Sequence, residues 1–274
     1  MGVTTVPENP QRVAILTNEG TEALLALGVT PVAAANSWQG DPWYAHIAER
    51  MQGVEAVGKE SAINLELLAA LEPDLIIGNK QRQEKIYEQL SSIAPTVLSA
   101  RLRGDWTHNF KLYAKAVNRE QVGQEALDAF VQRTQGLADA LGDALNEKVS
   151  VVRFLPGHLR IYQRDSFSGW MLNQVGFARP ANQDVDEFAL RVGRESIPDM
   201  DGDRIFHFTW DSGDGKGLKN ANRVLEDPLW QSLTAVQAGR VHAVEDTIWN
   251  TAGGMLAAEL MLQSIAEVYG VTLQ

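Results

Sequence analysis

The chain has 274 residues, of which 45% are hydrophobic and 22% charged, a composition typical of a globular protein. At this length a single hydrophobic core usually stops growing, so we expect two lobes rather than one. The sequence contains no cysteine, which excludes disulfides, thiolate metal sites and thiol nucleophiles among these residues, and its formal net charge of −11 argues against a nucleic-acid partner.

Short apolar runs alternate with helical patterns through the first part of the chain. A break at Glu72-Pro73-Asp74 separates a helical pattern from the run Leu75-Ile76-Ile77, which is typical of a strand that helices cover on both faces. The predicted strands are residues 11–16, 32–35, 75–77 and 95–98, and the predicted helices are 19–28, 64–71 and 83–93.

One long amphipathic pattern follows, from residue 119 to residue 145. Its apolar residues fall four apart, as in Val122, Ala126 and Phe130. A helix of this length would extend about 40 Å, at about 1.5 Å per residue, and could connect two lobes. The alternative is a long packing helix within one domain.

The alternation then resumes, with a predicted strand at 149–154, a helix at 168–175 and a closing helix at 255–269. The segment 196–206 repeats the pattern of 67–77, since in each an aspartate precedes a strand. We therefore predict an α/β fold of two related lobes.

Arginine and tryptophan recur just after the predicted strands, where open α/β sheets bind their ligands. Guanidinium groups form bidentate contacts with carboxylates, so this pattern in an acidic protein predicts an anionic ligand whose apolar part the tryptophans cover. Each arginine alone is an ordinary surface residue, and the prediction rests on the set. The predicted ligand-binding residues are Trp38, Arg82, Arg103, Arg160, Tyr162, Arg194, Trp210 and Trp249.

The sequence gives less support for a metal, nucleotide-binding or catalytic site. The five histidines show no HxH or HxxxH spacing, so we expect no direct metal site. No GxSxG, Walker or GxGxxG pattern occurs, and we expect the glycine-rich segment 213–217 to be a mobile loop. An α/β enzyme acting on an anionic metabolite is an open alternative, but only scattered residues such as His207 and Asp211 could serve it.

The sequence resembles the class III periplasmic siderophore receptors of ABC importers, and within them the subgroup for citrate-based hydroxamate or carboxylate siderophores, such as schizokinen and staphyloferrin B. Arg160-Ile161-Tyr162 and the segment 248–254, Ile-Trp-Asn-Thr-Ala-Gly-Gly, are similar to the subgroup, whereas Pro73-Asp74 is shared by the whole class. The matching segments span nearly the whole chain: 9–13, 71–76, 84–96, 160–162, 195–198 and 248–254.

The resemblance implies the class III periplasmic binding protein fold, in which one long helix joins two Rossmann-like lobes. We therefore expect an N-terminal lobe at 1–118, a bridging helix at 119–146 and a C-terminal lobe at 147–274. The resemblance also implies a shallow cleft that changes little on binding. It implies that a ferric siderophore supplies the iron ligands, so that no intrinsic cofactor is expected, and that Glu84 and, by a weaker match, Glu226 pair with arginines of the permease. A monomer is expected. The resemblance also implies a periplasmic protein or one lipid-anchored on the outer face of the cytoplasmic membrane; an export signal and a lipoprotein cysteine are not among the given residues. A haem or corrinoid receptor of the same fold is the alternative within the class.

Overall fold

Two five-stranded sheets organise the chain in a computed structural model that describes residues 2–102 and 104–273. The first unit comprises the residues through Leu102, together with Trp106–Phe130 and Thr251–Ala257. The second unit comprises Val131–Asn250 and the residues from Ala258 onward, with Gly104 and Asp105. The mixed α/β architecture predicted from the alternating patterns is confirmed.

The sheet of the first unit is entirely parallel, in the order β3-β2-β1-β6-β7. Its central strands β1 and β6 consist of buried residues, as expected for strands covered on both faces. The strands are β1 Val13–Ile15, β2 Ala33–Ala34, β3 Glu55–Ala56, β4 Gly58–Lys59, β5 Ala62–Ile63, β6 Leu75–Asn79 and β7 Thr96–Ser99. The helices are α1 Asn18–Ala26, α2 Leu65–Ala70, α3 Lys80–Gln83, α4 Tyr87–Ile93 and α5 Thr107–Ala116.

The sequence patterns located β1, β2, β6 and β7 but not all of the helices. The helix expected at 83–93 is divided into α3, a 3-10 turn at Glu84–Ile86, and α4. Neither α5 nor the small antiparallel pair of β4 and β5 was predicted. In that pair Gly58 has a φ of 97°, and a side chain there would collide with the carbonyl oxygen of Ala62.

The long helix is shorter than its apolar pattern indicated. Helix α6 covers Glu120–Leu141, 22 residues or about 33 Å at about 1.5 Å per residue. Gly142 then takes a φ of 51°, and a 3-10 turn at Gly142–Asn146 continues the chain. The apolar Leu145 lies in this turn, which is why the prediction ran too far. Because the units divide at Phe130 and Val131, α6 contributes residues to both.

The sheet of the second unit is mixed, in the order β10-β9-β8-β11-β12. Strand β9 is antiparallel to both of its neighbours, whereas β8, β11 and β12 are parallel. The strands are β8 Val149–Leu155, β9 His158–Tyr162, β10 Ala189–Val192, β11 Arg204–Thr209 and β12 Val241–Ala243. The helices are α7 Phe167–Val175, α8 Lys216–Leu225, α9 Pro228–Gln231, α10 Thr234–Gln237 and α11 Met255–Tyr269. Residues 158–162, expected to follow a strand, form one themselves.

The repeated aspartate before a strand has the same role in each unit. The carboxylate of Asp74, just before β6, accepts hydrogen bonds from the backbone N–H groups of Gln11 and Arg12 at 2.7 and 3.0 Å. Asp203, just before β11, accepts one from Lys148 at 2.7 Å. In both units the aspartate therefore fixes the chain that enters the neighbouring strand.

Candidate ligand-binding site

Three arginines lie side by side on neighbouring strands of the second unit. Arg153 of β8 is directly opposite Arg160 of β9, and Arg160 is directly opposite Arg191 of β10. Residues opposed in this way project from the same face of a sheet, with Cβ atoms about 5 Å apart. We call Arg153, Arg160 and Arg191 the arginine row. Like charges at such positions destabilise a sheet unless opposite charges compensate them.

A tight hairpin fixes the register of the arginine row. Leu155 and His158 form the last pair of β8 and β9, and the loop between them has only two residues, Pro156 and Gly157. Gly157 has a φ of 75°, which glycine adopts with little strain. A slip by one residue would turn Arg160 into the opposite face of the sheet, where Leu159 packs in the hydrophobic core.

Arg153 has its charge compensated within the protein. Its Nε and Nη2 lie 2.6 and 2.8 Å from the two carboxylate oxygens of Asp246, and its Nη1 donates to the hydroxyl of Tyr162 at 3.3 Å. Arg153, Asp246 and Tyr162 are all buried. Burial raises the pKa of Asp246, and the positive charge of Arg153 opposes this shift. The positive charge of Arg153 is thus balanced by a buried carboxylate directly beside it.

Arg160 and Arg191 lack such compensation. Arg160 is half-buried and Arg191 exposed, and within residues 2–102 and 104–273 neither has a hydrogen-bond or ion-pair partner for its guanidinium. The pKa of the nearby His158 is lowered, first by burial and then by the positive charges of Arg191, Arg160 and Arg153. This face of the sheet therefore presents two uncompensated guanidinium groups, which is the chemistry needed to bind carboxylates.

Two aromatic residues that the sequence placed at the ligand lie in the core instead. Tyr162 is fully buried between Phe188 and Phe208, where its hydroxyl holds Arg153. Trp249 is 1% exposed, stacks on Phe206 at 4.5 Å between ring centroids, and donates from Nε1 to Ser264 at 3.3 Å. Strand-end position could not separate these buried rings from accessible ones.

The structure gives Trp210 and Arg194 different surroundings. Trp210 follows β11 directly and is half-buried, and its backbone N–H donates to the carbonyl of Phe154 at 3.0 Å. Arg194 forms a two-point ion pair with Asp227, whose carboxylate also caps α9 by accepting from the backbone of Leu229. The guanidinium of Arg194 is therefore occupied by a structural partner.

In the first unit, the structure brings together two of the predicted residues, Arg82 and Trp38. The guanidinium carbon of Arg82 lies 5.6 Å from the centroid of the Trp38 ring, within cation–π range. Its Nε is 3.2 Å from the buried carboxylate of Glu60, which also accepts from the backbone and the side chain of Asn18 at 2.7 and 2.8 Å. Trp38 is 42% exposed, so part of its side chain is accessible.

The remaining predicted residues are placed as follows. Arg103 lies outside the described residues. Glu84 is exposed at the start of its 3-10 turn, with an oxygen 3.4 Å from the ammonium of Lys80. Glu226 is exposed at the carboxyl end of α8.

The segment 213–217 is held by one side chain. The carboxylate of Asp211 accepts hydrogen bonds from the backbone N–H groups of Gly213, Gly215, Gly217 and Leu218, at distances from 2.7 to 3.2 Å. These bonds lower the pKa of Asp211 despite the opposing effect of burial. The glycine-rich loop is therefore an ordered entry to α8.

Sequence reasoning missed Arg153, Arg191 and Asp246. A signal existed for Arg153, which is a lone charge within the apolar run of residues 149–154. Among the described residues, no group of three or more His, Cys, Asp and Glu side chains is placed to hold a metal ion. A search of the same residues finds no helix with the length and apolarity needed to span a membrane.

Comparison with known proteins agrees with this architecture. Residues 13–247 match the family model described as periplasmic binding protein. The chain is 50% identical to "Probable siderophore-binding lipoprotein YfiY" of Bacillus subtilis, an alignment covering 95% of this chain and 82% of the relative. It is 32% identical to the achromobactin-binding periplasmic protein of Dickeya dadantii, covering 96% and 87% of the two chains. The crystal structure of Staphylococcus aureus SirA complexed with staphyloferrin B superposes with a TM-score of 0.93 at 31% identity, covering 100% of this chain and 98% of SirA. The chain belongs to the periplasmic binding protein family.

Proposed function

We propose that this chain is the substrate-binding component of an ABC importer, and that it captures an anionic ferric siderophore of the citrate-based hydroxamate or carboxylate type. The observation that carries the proposal is the pair of uncompensated guanidinium groups on Arg160 and Arg191. The names of the relatives support the ligand class, since they describe binding of a siderophore, of achromobactin and of staphyloferrin B.

The proposed recognition is electrostatic. Carboxylates of the ligand accept bidentate, charge-assisted hydrogen bonds from Arg160 and Arg191, which removes the repulsion between these two side chains. The siderophore supplies the iron ligands, and the metal is cargo rather than a cofactor of the protein. Arg153 stays paired with Asp246 and does not contact the ligand.

In the first unit we assign ligand contacts to Trp38 and Arg82. The exposed part of the Trp38 side chain offers an apolar surface, and Arg82 is held beside it by Glu60. Trp210 is assigned to the ligand on the second unit, because it is half-buried at the carboxyl end of β11.

We assign permease docking to Glu84 and Glu226, one on each unit, because both carboxylates are exposed. The protein would act outside the cytoplasmic membrane, in keeping with relatives named as a lipoprotein and a periplasmic protein. Delivery then consists of docking the loaded protein on the permease, and no covalent step occurs.

Titration of intrinsic tryptophan fluorescence tests this proposal, because Trp38 and Trp210 are assigned to the ligand. The panel is ferric schizokinen, ferric citrate, a ferric catecholate siderophore and haem. We expect saturable quenching at submicromolar concentration with a citrate-based complex and weaker binding of the catecholate and haem. Tight binding of haem alone would instead support the haem receptor of the same fold, and tight binding of the catecholate alone would contradict the assigned ligand class.

A further inference from the structure

The balance of charge around the arginine row is set by one residue. The row carries three guanidinium groups, and the only carboxylate that pairs with it among the described residues is that of Asp246. Asp246 is 5% exposed, so its charge is poorly screened by solvent. With Asp246 ionised, the face carries two positive charges in excess instead of three.

The geometry shows which arginine Asp246 removes from ligand binding. Both of its oxygens lie against the Arg153 guanidinium: Oδ1 is 2.6 Å from Nε in an ion pair, and Oδ2 accepts a hydrogen bond from Nη2 at 2.8 Å. The third nitrogen, Nη1, donates to the hydroxyl of Tyr162 at 3.3 Å. Arg153 is 6% exposed, so a ligand has little access to it.

The effect of Asp246 extends beyond Arg153. The positive charge of Arg160 acts on the Asp246 carboxylate together with that of Arg153. The two arginines are directly opposed across β8 and β9, with Cβ atoms about 5 Å apart. A change of charge at position 246 therefore alters the electrostatic potential at Arg160, which has no ion-pair partner among the described residues.

We propose that Asp246 is a specificity-determining residue: by neutralising Arg153 it lowers the positive charge of this face of the sheet, and so favours the less anionic of two otherwise similar ligands. This inference rests on the proposed function and adds to it a limit on the charge of the ligand. Asp246 acts through Arg153 and has no contact with the ligand. Its substitution should change which ligand is preferred, and not merely how tightly all ligands bind.

The test compares two ferric complexes that share a citrate core and two hydroxamate arms, ferric schizokinen and ferric aerobactin; the arms of aerobactin each carry an additional carboxylate. The ratio of their Kd values is measured by fluorescence titration for the wild type, Asp246→Asn and Arg153→Gln. A single charge at this separation should change the ratio by about fivefold. Asp246→Asn should shift the preference toward aerobactin, and Arg153→Gln should shift it toward schizokinen, because the two changes alter the charge in opposite directions.

Two further variants separate charge from structure. The double variant Arg153→Gln with Asp246→Asn restores the original excess of two positive charges, so its ratio should return to the wild-type value. Asp184→Asn removes an exposed carboxylate of the same unit, which pairs with Arg164 at 3.4 Å, and should leave the ratio unchanged. If Asp246→Asn does not fold, Arg153→Gln and the double variant still give the opposite shift and its reversal.

The outcomes distinguish the inference from the function. Equal loss of affinity for both complexes in Asp246→Asn and Arg153→Gln would overturn the inference, since the pair would then only position the strand. Unchanged ratios would overturn it as well, while the proposed function would stand. Failure of the wild type to bind either complex would contradict the proposed function itself.

Discussion

Arg153 and Arg160 lie directly opposite each other on β8 and β9, but among the residues that the structure describes only Arg153 has a carboxylate partner. The protein compensates the buried member of this pair and leaves the accessible member, with Arg191 beside it, uncompensated. Repulsion between neighbouring guanidinium groups costs stability in the empty protein. An anionic ligand bound between these groups would remove the repulsion, and its loss would favour binding.

Replacing Arg160 with glutamine should weaken binding of a ferric citrate-type siderophore. A charge-assisted hydrogen bond contributes about 1.5–3 kcal/mol, so we expect Kd to rise by about 10- to 100-fold. The Tm of the empty protein should stay the same or rise, because repulsion within the arginine row falls. Fluorescence titration and thermal unfolding measure both. Arg164→Gln is the matched control, since Arg164 already pairs with Asp184, and a similar loss of affinity there would contradict the assignment.

Two tryptophan substitutions should have different consequences. Trp249→Ala empties a buried site beside Phe206 and should cost about 3–5 kcal/mol of unfolding free energy. Trp38→Ala removes a ring that is 42% exposed, so it should cost less unfolding free energy than Trp249→Ala while weakening ligand binding about fivefold. Denaturant unfolding and titration of both variants check this. A stable Trp249→Ala variant with impaired binding would contradict the structural role and support the sequence-based prediction that Trp249 contacts the ligand.

Acidification should destabilise the protein partly through His207. Burial, and next the neighbouring His242, lower the pKa of His207 from 6.5 to about 4. The unfolded chain therefore takes up this proton first, and unfolding free energy falls as the pH drops through this interval, by roughly 3 kcal/mol. His207→Phe should flatten that dependence in denaturant unfolding at several pH values, whereas His108→Gln, an exposed position, should not. An unchanged pH dependence in His207→Phe would show that His207 does not contribute to the loss of stability on acidification.

Gly254 should tolerate no side chain. A Cβ there would lie 2.8 Å from that of Glu22 and 2.9 Å from the carbonyl oxygen of Glu19. The same Glu22 carboxylate accepts from the backbone N–H of Ala257 in the first turn of α11. We expect Gly254→Ala to lower the unfolding free energy by about 1–3 kcal/mol.

Gly136→Ala is the control for that substitution, because outside the local helix backbone no described atom lies within 4 Å of the added methyl group in α6. It should raise the unfolding free energy by about 0.5–1 kcal/mol. Denaturant unfolding of both variants gives the comparison, and a neutral Gly254→Ala would show that the contact between Gly254 and α1 can relax.

Charge reversal at Glu84 should impair transport without affecting capture. Glu84→Lys removes the exposed carboxylate that we assign to a permease arginine, so siderophore uptake into cells should fall while Kd for the ligand is unchanged. Glu88→Lys, an exposed position on α4, should support normal uptake. Equal uptake by the two variants would show that Glu84 has no specific role in docking.

The alternation of apolar runs and helical patterns was enough to predict the α/β architecture, because buried parallel strands such as β1 and β6 are apolar throughout. Residues 158–162 form an antiparallel strand that the prediction missed, although their alternation of Leu159 and Ile161 with polar residues is typical of a half-buried strand. The length of α6 was overestimated because Leu145 continues the apolar spacing past Gly142.

The sequence was a better guide to the chemistry of the site than to the individual residues that form it. Expected strand ends pointed to Arg160, Arg82 and Trp38, and the structure leaves all three at least partly accessible. Burial depends on packing between distant segments, so the sequence could not separate Trp249 from the accessible rings. The role of Asp246 depends on a contact 93 residues away in sequence, and no local pattern encodes it.

A crystal structure of the protein with a bound ferric citrate-type siderophore tests the central claim most directly. The account predicts carboxylate oxygens of the ligand within hydrogen-bonding distance of the Arg160 and Arg191 guanidinium groups, at about 2.7–2.9 Å, with Arg153 still paired to Asp246. A ligand whose carboxylates contact neither Arg160 nor Arg191 would contradict it.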